Sequence, residues 1–262
     1  FKPITQYADM VLTPNAVPEM VRKAFSTAKR DRPGASYLAL PQDIESRPVS
    51  ADRQPLAIDP ISFTQPTSSD IEKAVELIAA AEHPIILAGD GVLWKHAEQE
   101  VRELSELLEI PVVTTFMSKG VISDRHKNAL GVVGFMRKDY ENFAIDQADL
   151  IISIGFSIQQ FDPQKINPNR DKKIIHINMC RQDVDSHYPV TLNIIANIRA
   201  SLQALLQALK LQDIHFSHQT SEIRQLIQEE LVSGAKSQQV PLKPQTIVYE
   251  TRQALPDDAV VL

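Results

Sequence analysis

Through the middle of the chain, short unbroken apolar runs alternate with stretches of helical period. Residues 84–88 (Pro-Ile-Ile-Leu-Ala), 111–115 (Pro-Val-Val-Thr-Thr), 149–155, 172–177 and 192–195 read as strands that are apolar throughout. Between them, Ile71, Ala74, Val75, Leu77, Ile78 and Ala81 form one apolar helix face, with Ser68, Ser69 and Asp70 as candidate caps. Helices are predicted again over about 94–109, 138–148, 198–210 and 217–232. Strands without an exposed polar face, separated by helices, predict a parallel sheet covered on both sides. The expectation for residues 69–212 is therefore an α/β, doubly wound, Rossmann-like domain. Any ligand would lie at the carboxyl ends of its strands, beside Gly89-Asp90-Gly91, Thr114-Thr115, Gly155-Phe156 and Asn178.

Outside that domain the pattern changes. Residues 14–30 predict a helix with prolines near its first turn, and residues 35–41 a short buried strand. Residues 45–68 hold Pro48, Pro55, Pro60 and Pro66 with no sustained period, and read as a stiffened linker. Residues 213–242 predict a helix and a second linker. Lys243-Pro244-Gln245-Thr246 opens a helix that leads into a strand starting near residue 258. The chain starts at Phe1 without a methionine and stops on Val260-Val261-Leu262, so a segment of a longer polypeptide is expected.

Composition narrows the function classes. Of 262 residues, 27 are Lys or Arg and 33 are Asp or Glu, a net charge of −6 with 43% hydrophobic residues. This balance gives no electrostatic case for nucleic acid or an anionic membrane as partner. No apolar run approaches the ~20 residues of a membrane span. Cys180 is the one cysteine, which excludes an internal disulfide and fits a reducing, cytoplasmic setting.

The chemistry-bearing residues are sparse. Among eight glycines neither a G-x-G-x-x-G nor a P-loop pattern occurs. Gly89-x-Gly91 admits a phosphate contact or, more simply, a tight turn. The seven histidines include no H-E-x-x-H, and no metal site is expected. His176, inside an apolar strand, reads as a hydrogen-bonded core residue rather than a ligand, and His215 and His218 as solvated. Asp183, Asp185 and His187 share an acidic stretch that a loop at a sheet edge accounts for. Cys180 is a small buried residue or a loop thiol.

Phe1-Lys2-Pro3-Ile4-Thr5, Val17-Pro18, Arg32-Pro33-Gly34 and Leu40-Pro41-Gln42-Asp43 resemble the closing stretch of the pyrimidine-binding domain of thiamine-diphosphate (ThDP) enzymes. His83 to Gly89, residues 111–115, Gly131-x-x-Gly134, residues 148–155 and 173–177 are similar to that family's DHS-like central domain. Lys243 to Thr246 resembles the start of its pyrophosphate-binding domain. The likeness is closest to acetolactate synthase large subunits. It implies that residues 1–44 end the first domain, 45–68 link, 69–212 form the central domain, 213–242 form a helix and linker, and 243–262 start the third domain.

The resemblance further implies a cytoplasmic parent enzyme that condenses two pyruvates with thiamine diphosphate and Mg2+. The parent would take a small 2-oxo acid as substrate and form a homodimer or homotetramer. The activating glutamate and the metal motif would lie outside residues 1–262, so no catalytic residue is expected here. Flavin-binding members carry G-M-H-G, R-F-D-D-R and H-I-D-I-D stretches; this chain has Gly134-Phe135-Met136-Arg137, Gly155-Phe156-Ser157-Ile158-Gln159-Gln160 and His176-Ile177-Asn178-Met179-Cys180. With Gln42 where flavin-using members have lysine, these departures imply the catabolic, FAD-independent type. The positions matching contacts to an FAD- or ADP-type ligand are Arg32, Gly134, Phe135, Gly155 and Phe156; Arg32 also reads as a helix-end arginine facing the dipole. Two alternatives stay open: a sister ThDP decarboxylase, carboligase or oxidase, and a non-catalytic nucleotide-binding or scaffolding domain.

Overall fold

A computed structural model describes residues 1–30, 32–50, 64–133, 140–216, 220–237 and 239–261, with the side chains of 140–142 and 220 outside the description. The chain divides into two compact units, Phe1–Thr64 and Gln65–Leu262.

The first unit pairs β1 (Tyr7–Met10) with β2 (Ser36–Ala39) in parallel, with α1 (Val17–Ala28) packed on the pair. Ala24 is buried against this pair, and its carbonyl accepts the Ser36 hydroxyl at 2.9 Å. A short α2 (Gln42–Glu45) follows.

The second unit runs α3 (Ser68–Ala79), β3 (Pro84–Ala88), α4 (Gly91–Trp94), α5 (Glu98–Leu108), β4 (Val112–Thr114), β5 (Ala129–Val132), α6 (Tyr140–Gln147) and β6 (Leu150–Ile154). It continues with α7 (Pro163–Ile166), β7 (Lys173–Asn178), β8 (Leu192–Ile195), α8 (Ile198–Leu209), α9 (Thr220–Ala235) and α10 (Pro244–Ala254). The six strands form one sheet in the order β5-β4-β3-β6-β7-β8, and every pairing is parallel. This is the doubly wound α/β fold that the sequence predicts. Strand order reverses between β3 and β6, so the switch point lies between their carboxyl ends.

Strand alternation sorts the helices onto two faces. Ile86, Ala88, Ile152, Ile154, Ile175 and Ile177 face a core completed by Ile71 and Ile78 of α3, Leu104 and Leu108 of α5, and Leu202 and Leu206 of α8. Ile85, Leu87, Ile151 and Ile174 face the opposite core, with Ile145 of α6, Ile166 of α7 and Ile223 of α9. Because both faces are covered, β3 and β6 are buried at all five positions each.

Polar groups brace this apolar frame. The Asp149 carboxylate accepts the backbone N–H groups of Glu82 and His83, both at 2.8 Å, which fixes the start of β6 against the start of β3. The ammonium of the buried Lys172 donates to the carbonyls of Asp146 and Ala148 at 2.9 and 2.8 Å, closing the end of α6. Its burial pulls its pKa below the ordinary lysine value, partly offset by Asp171, Asp146 and Asp149. Glu100 is buried on α5 and accepts Arg199 Nε at 2.6 Å and Gln203 Nε2 at 2.9 Å, tying α5 to α8.

Several expectations change. The helix expected over 94–109 starts later, as α5 at Glu98: Trp94 ends the short α4, and Lys95, His96 and Ala97 turn the chain, His96 with φ 51°. β5 and β1 escape the sequence pattern: β5 is four residues with Gly131 inside it, and β1 carries Asp9. The loop expected after β6 contains α7, whose Asp162 side chain caps it by accepting Gln164 N–H at 3.0 Å. Residues 258–261 form no strand. His218 lies outside the described residues. The N-cap of α3 is Thr67 rather than Ser68, Ser69 or Asp70: its Oγ1 accepts Asp70 N–H at 3.1 Å and donates to the Asp70 carboxylate at 2.7 Å.

That assignment is testable. Thr67→Ala is expected to cost about 1 kcal/mol and Ser68→Ala close to nothing, measured by urea denaturation; a larger loss for Ser68→Ala than for Thr67→Ala would return the cap to Ser68.

Candidate functional site

Gly89 and Gly91 follow β3, and Gly155 follows β6 in the left-handed region at φ +61°. Their backbones touch. A Cβ on Gly89 would sit 2.4 Å from the Gly155 carbonyl oxygen, and one on Gly155 would sit 2.6 Å from Val92 N. The contact is also hydrogen-bonded: Gly89 N–H donates to Ile154 O at 2.8 Å and Gly91 N–H to Gly155 O at 3.0 Å. Of the two readings of Gly89-x-Gly91, the turn describes its role, since both glycine amides are used inside the sheet. α4 is a four-residue helix, too short to present the N-terminal turn that receives a pyrophosphate in dinucleotide folds.

A polar network fills the crevice beside this contact. Gln160, from the loop after β6, accepts Thr115 Oγ1–H at 2.7 Å and Asp90 N–H at 3.3 Å through Oε1. Its Nε2 donates to Asp90 Oδ1 at 2.6 Å. Thr115 Oγ1 lies 2.9 Å from the Ser118 hydroxyl, which donates to Ala88 O at 2.6 Å. Thr115 and Ser118 are buried; Asp90 and Gln160 are half-buried. The amide that joins these groups neither takes nor gives a proton at neutral pH.

On the face opposite α3, α5 and α8, Ser153 of β6 and His176 of β7 are register partners, and Tyr188 covers them. The Tyr188 hydroxyl donates to Ser153 Oγ at 2.5 Å and lies 3.1 Å from His176 Nδ1. His176 Nε2 lies 3.4 Å from the Cys180 carbonyl. All three side chains are buried, and burial pushes the His176 pKa down to about 4, partly offset by the Cys180 hydrogen bond. Burial raises the Tyr188 pKa, with the Ser153 hydrogen bond opposing it. His176 is thus the core histidine expected from its strand.

Gly155 and Phe156 lie at the switch point, where both make packing contacts. Phe156 is 1% exposed, its ring 5.6 Å from that of Tyr188, and its carbonyl accepts Asn178 Nδ2 at 2.9 Å. Gly155 N–H donates to Ile177 O at 2.9 Å. Gly134 and Phe135 lie outside the described residues. Arg32 is an exposed residue of the first unit, and its carbonyl accepts Gln6 Nε2 at 2.9 Å. Cys180 is half-buried; Gln42 and His215 are exposed. Asp183 accepts the Gln159 amide, His187 N–H donates to Asp185 at 2.7 Å, and the His187 ring meets the Asn167 carbonyl at 3.2 Å. No group of three His, Cys, Asp or Glu among the described residues could hold a metal ion, and none of their helices is long and apolar enough to cross a membrane. The network residues Asp90, Thr115, Ser118 and Gln160 carry no motif; the one sequence signal is that each flanks the carboxyl end of a strand.

Two outcomes are expected. Gly155→Ala forces a Cβ into the α4 backbone and should cost roughly 2–4 kcal/mol, whereas Gly120→Ala, with nothing within 4 Å of its Cβ, should cost less; equal losses in urea denaturation would refute the contact. For His176, the folded state stays neutral to about pH 4 while the unfolded chain protonates near its ordinary 6.5. The unfolded state therefore binds more protons between these values. Stability is full above about pH 6.5, and about 3 kcal/mol of it is lost as pH falls to about 4. Urea midpoints across that range should show this fall and His176→Gln should flatten it; an unchanged slope would assign it elsewhere.

The model of the family described as thiamine pyrophosphate enzyme, central domain, matches residues 71–205, just over half of the chain. A probable acetolactate synthase large subunit of Methanococcus aeolicus is 32% identical, aligned over 98% of this chain and 45% of the relative. Its counterpart in Methanocaldococcus jannaschii is 31% identical over 97% and 44%. An acetolactate synthase of Bacillus subtilis is 27% identical over 100% and 46%. The chain thus spans a little under half the length of these relatives. A six-stranded parallel sheet matched over its helices and strands, and relatives aligned over almost all of the chain, establish that it belongs to the thiamine pyrophosphate enzyme family through the central domain.

Proposed function

We propose that this chain is the central portion of an acetolactate synthase large subunit, and that within it the domain acts as a flavin-free scaffold. The supporting observation is the switch-point crevice, occupied by the Gln160 amide and by glycine backbone whose N–H groups are already paired. The names and lengths of the relatives support the rest of the reading. Residues 1–44 would close the preceding cofactor domain, 45–68 link, 69–212 form the scaffold, 213–242 link again and 243–262 open the next domain.

The parent would be a cytoplasmic homodimer or homotetramer that joins two pyruvates into 2-acetolactate and releases one CO2. Thiamine diphosphate would supply the electron sink for the carbanion left by decarboxylation. The described residues hold no ligand set for the accompanying Mg2+, so the cofactor and its metal would be held by the flanking parts of the parent, and no chemical step is assigned to residues of this chain. Their work is positional. The braced sheet sets the spacing between the polypeptide entering at α3 and that leaving after α8.

The test is an acetolactate assay on the full-length parent with pyruvate, thiamine diphosphate and Mg2+ but no added flavin, paired with its absorbance between about 350 and 500 nm. Turnover without a flavin spectrum is expected, with none from the 262-residue chain alone. A stoichiometric flavin spectrum would overturn the flavin-free reading, and absent acetolactate would move the parent to a sister enzyme.

A further inference from the structure

In a doubly wound sheet the crevice outside the strand ends, at the switch point, is where a ligand is received. Here that position holds a side chain of the protein itself. Gln160 comes from a loop that a reverse hydrogen bond, Gln160 N–H to Ser157 O at 2.9 Å, folds back over the strand ends. Its amide is bound as a small ligand would be, on both of its edges. The orientation is fixed by partners that permit no other: Asp90 N–H can only donate, so Oε1 faces it, and the Asp90 carboxylate can only accept, so Nε2 faces that. Thr115 Oγ1 adds a second donor to Oε1 at 2.7 Å, and the Ser118 hydroxyl lies 2.9 Å from it.

The set of two donors beside one acceptor is a recognition pattern with a definite complement. A primary carboxamide supplies it, presenting a carbonyl oxygen next to an N–H. Thr115 and Ser118 are 1% and 0% exposed, so the floor of the pattern is rigid and desolvated, while half-buried Gln160 leaves its outer side open to solvent. A hydrogen bond left unmade by the buried Thr115 hydroxyl costs more than one left unmade on the solvent-facing side, which favours an occupant there.

We propose that Asp90 and Thr115 form a carboxamide-binding subsite at the switch point, and that Gln160 is its resident intramolecular ligand, closing the crevice to molecules from outside. The inference concerns what the crevice binds and does not rest on the reaction of the parent; it stands or falls independently of acetolactate formation.

Removing the occupant tests this. In the 262-residue chain, Gln160→Ala leaves the subsite intact and empties it. Melting temperature is read against propionamide, with sodium propionate of matched ionic strength as the control. Gln160→Ala is expected to melt lower than wild type and to regain about 2–4 °C, saturably, in propionamide. Propionate should restore nothing, because a carboxylate would face Asp90. Wild type should not respond, and Gln160→Ala combined with Thr115→Val should lose most of the response. Adenosine and nicotinamide are then compared on Gln160→Ala. Rescue by nicotinamide with the same Thr115 dependence supports a carboxamide site; a response to adenosine alone would replace it by a base-recognition site and overturn the proposal. Equal shifts with amide and carboxylate, a wild-type response as large as the variant's, or no saturable shift would also overturn it. If Gln160→Ala does not fold alone, its soluble yield on refolding in propionamide against propionate gives the same reading: preferential recovery supports the subsite, and equal recovery refutes it.

Discussion

Where β3 and β6 end side by side, their backbones approach more closely than any side chain permits. Gly89, Gly91 and Gly155 meet with would-be Cβ distances below 3 Å, and Gly155 takes a left-handed φ to make the turn. The rest of the carboxyl edge is set by this contact. It spends the glycine amides inside the sheet, starts α4 directly above the β6 turn, and is followed by a turn closed by Gln160, whose side chain reaches Asp90. A crevice that in other doubly wound proteins admits a ligand is thereby furnished from within.

Two-sided burial imposes the second constraint. A sheet covered on both faces has little solvated surface on which to place a polar group, so most are matched inside. Asp149 takes two backbone amides at the opposite edge, Lys172 takes two helix-end carbonyls, and Glu100 takes Arg199 and Gln203. Ser153 and His176 sit opposite each other across adjacent strands, where Tyr188 reaches both. The polar groups thus fix distances between elements whose association the apolar residues drive but do not register. Such bracing suits a domain whose contribution is to hold geometry.

The legible parts of the fold were those whose signal is local. β3, β6 and β7 are mostly apolar and buried along their centres because both faces of each are covered, and α3 and α8 carry their apolar positions at helical spacing. β5 was illegible because an edge position lets a four-residue strand contain Gly131, and the break between α4 and α5 because it rests on a positive φ at His96, which residue type does not announce. Thr67 and Ser68 are equally good caps by composition; only the path of the chain into α3 distinguishes them.

The sequence by itself determined the fold class, the strands of the sheet's centre, the core role of His176 and the likeness to the ThDP enzymes, since each is written in consecutive residues. Tertiary structure decided the switch point. That Gly155 would meet Gly91, that Phe156 would turn inward, and that Gln160 would reach an aspartate 70 residues away all depend on β3 and β6 becoming neighbours. Residue type supplies a hydrogen-bonding capacity, but which partner satisfies it is fixed by which strands pair, and that is settled by the burial of the whole sheet.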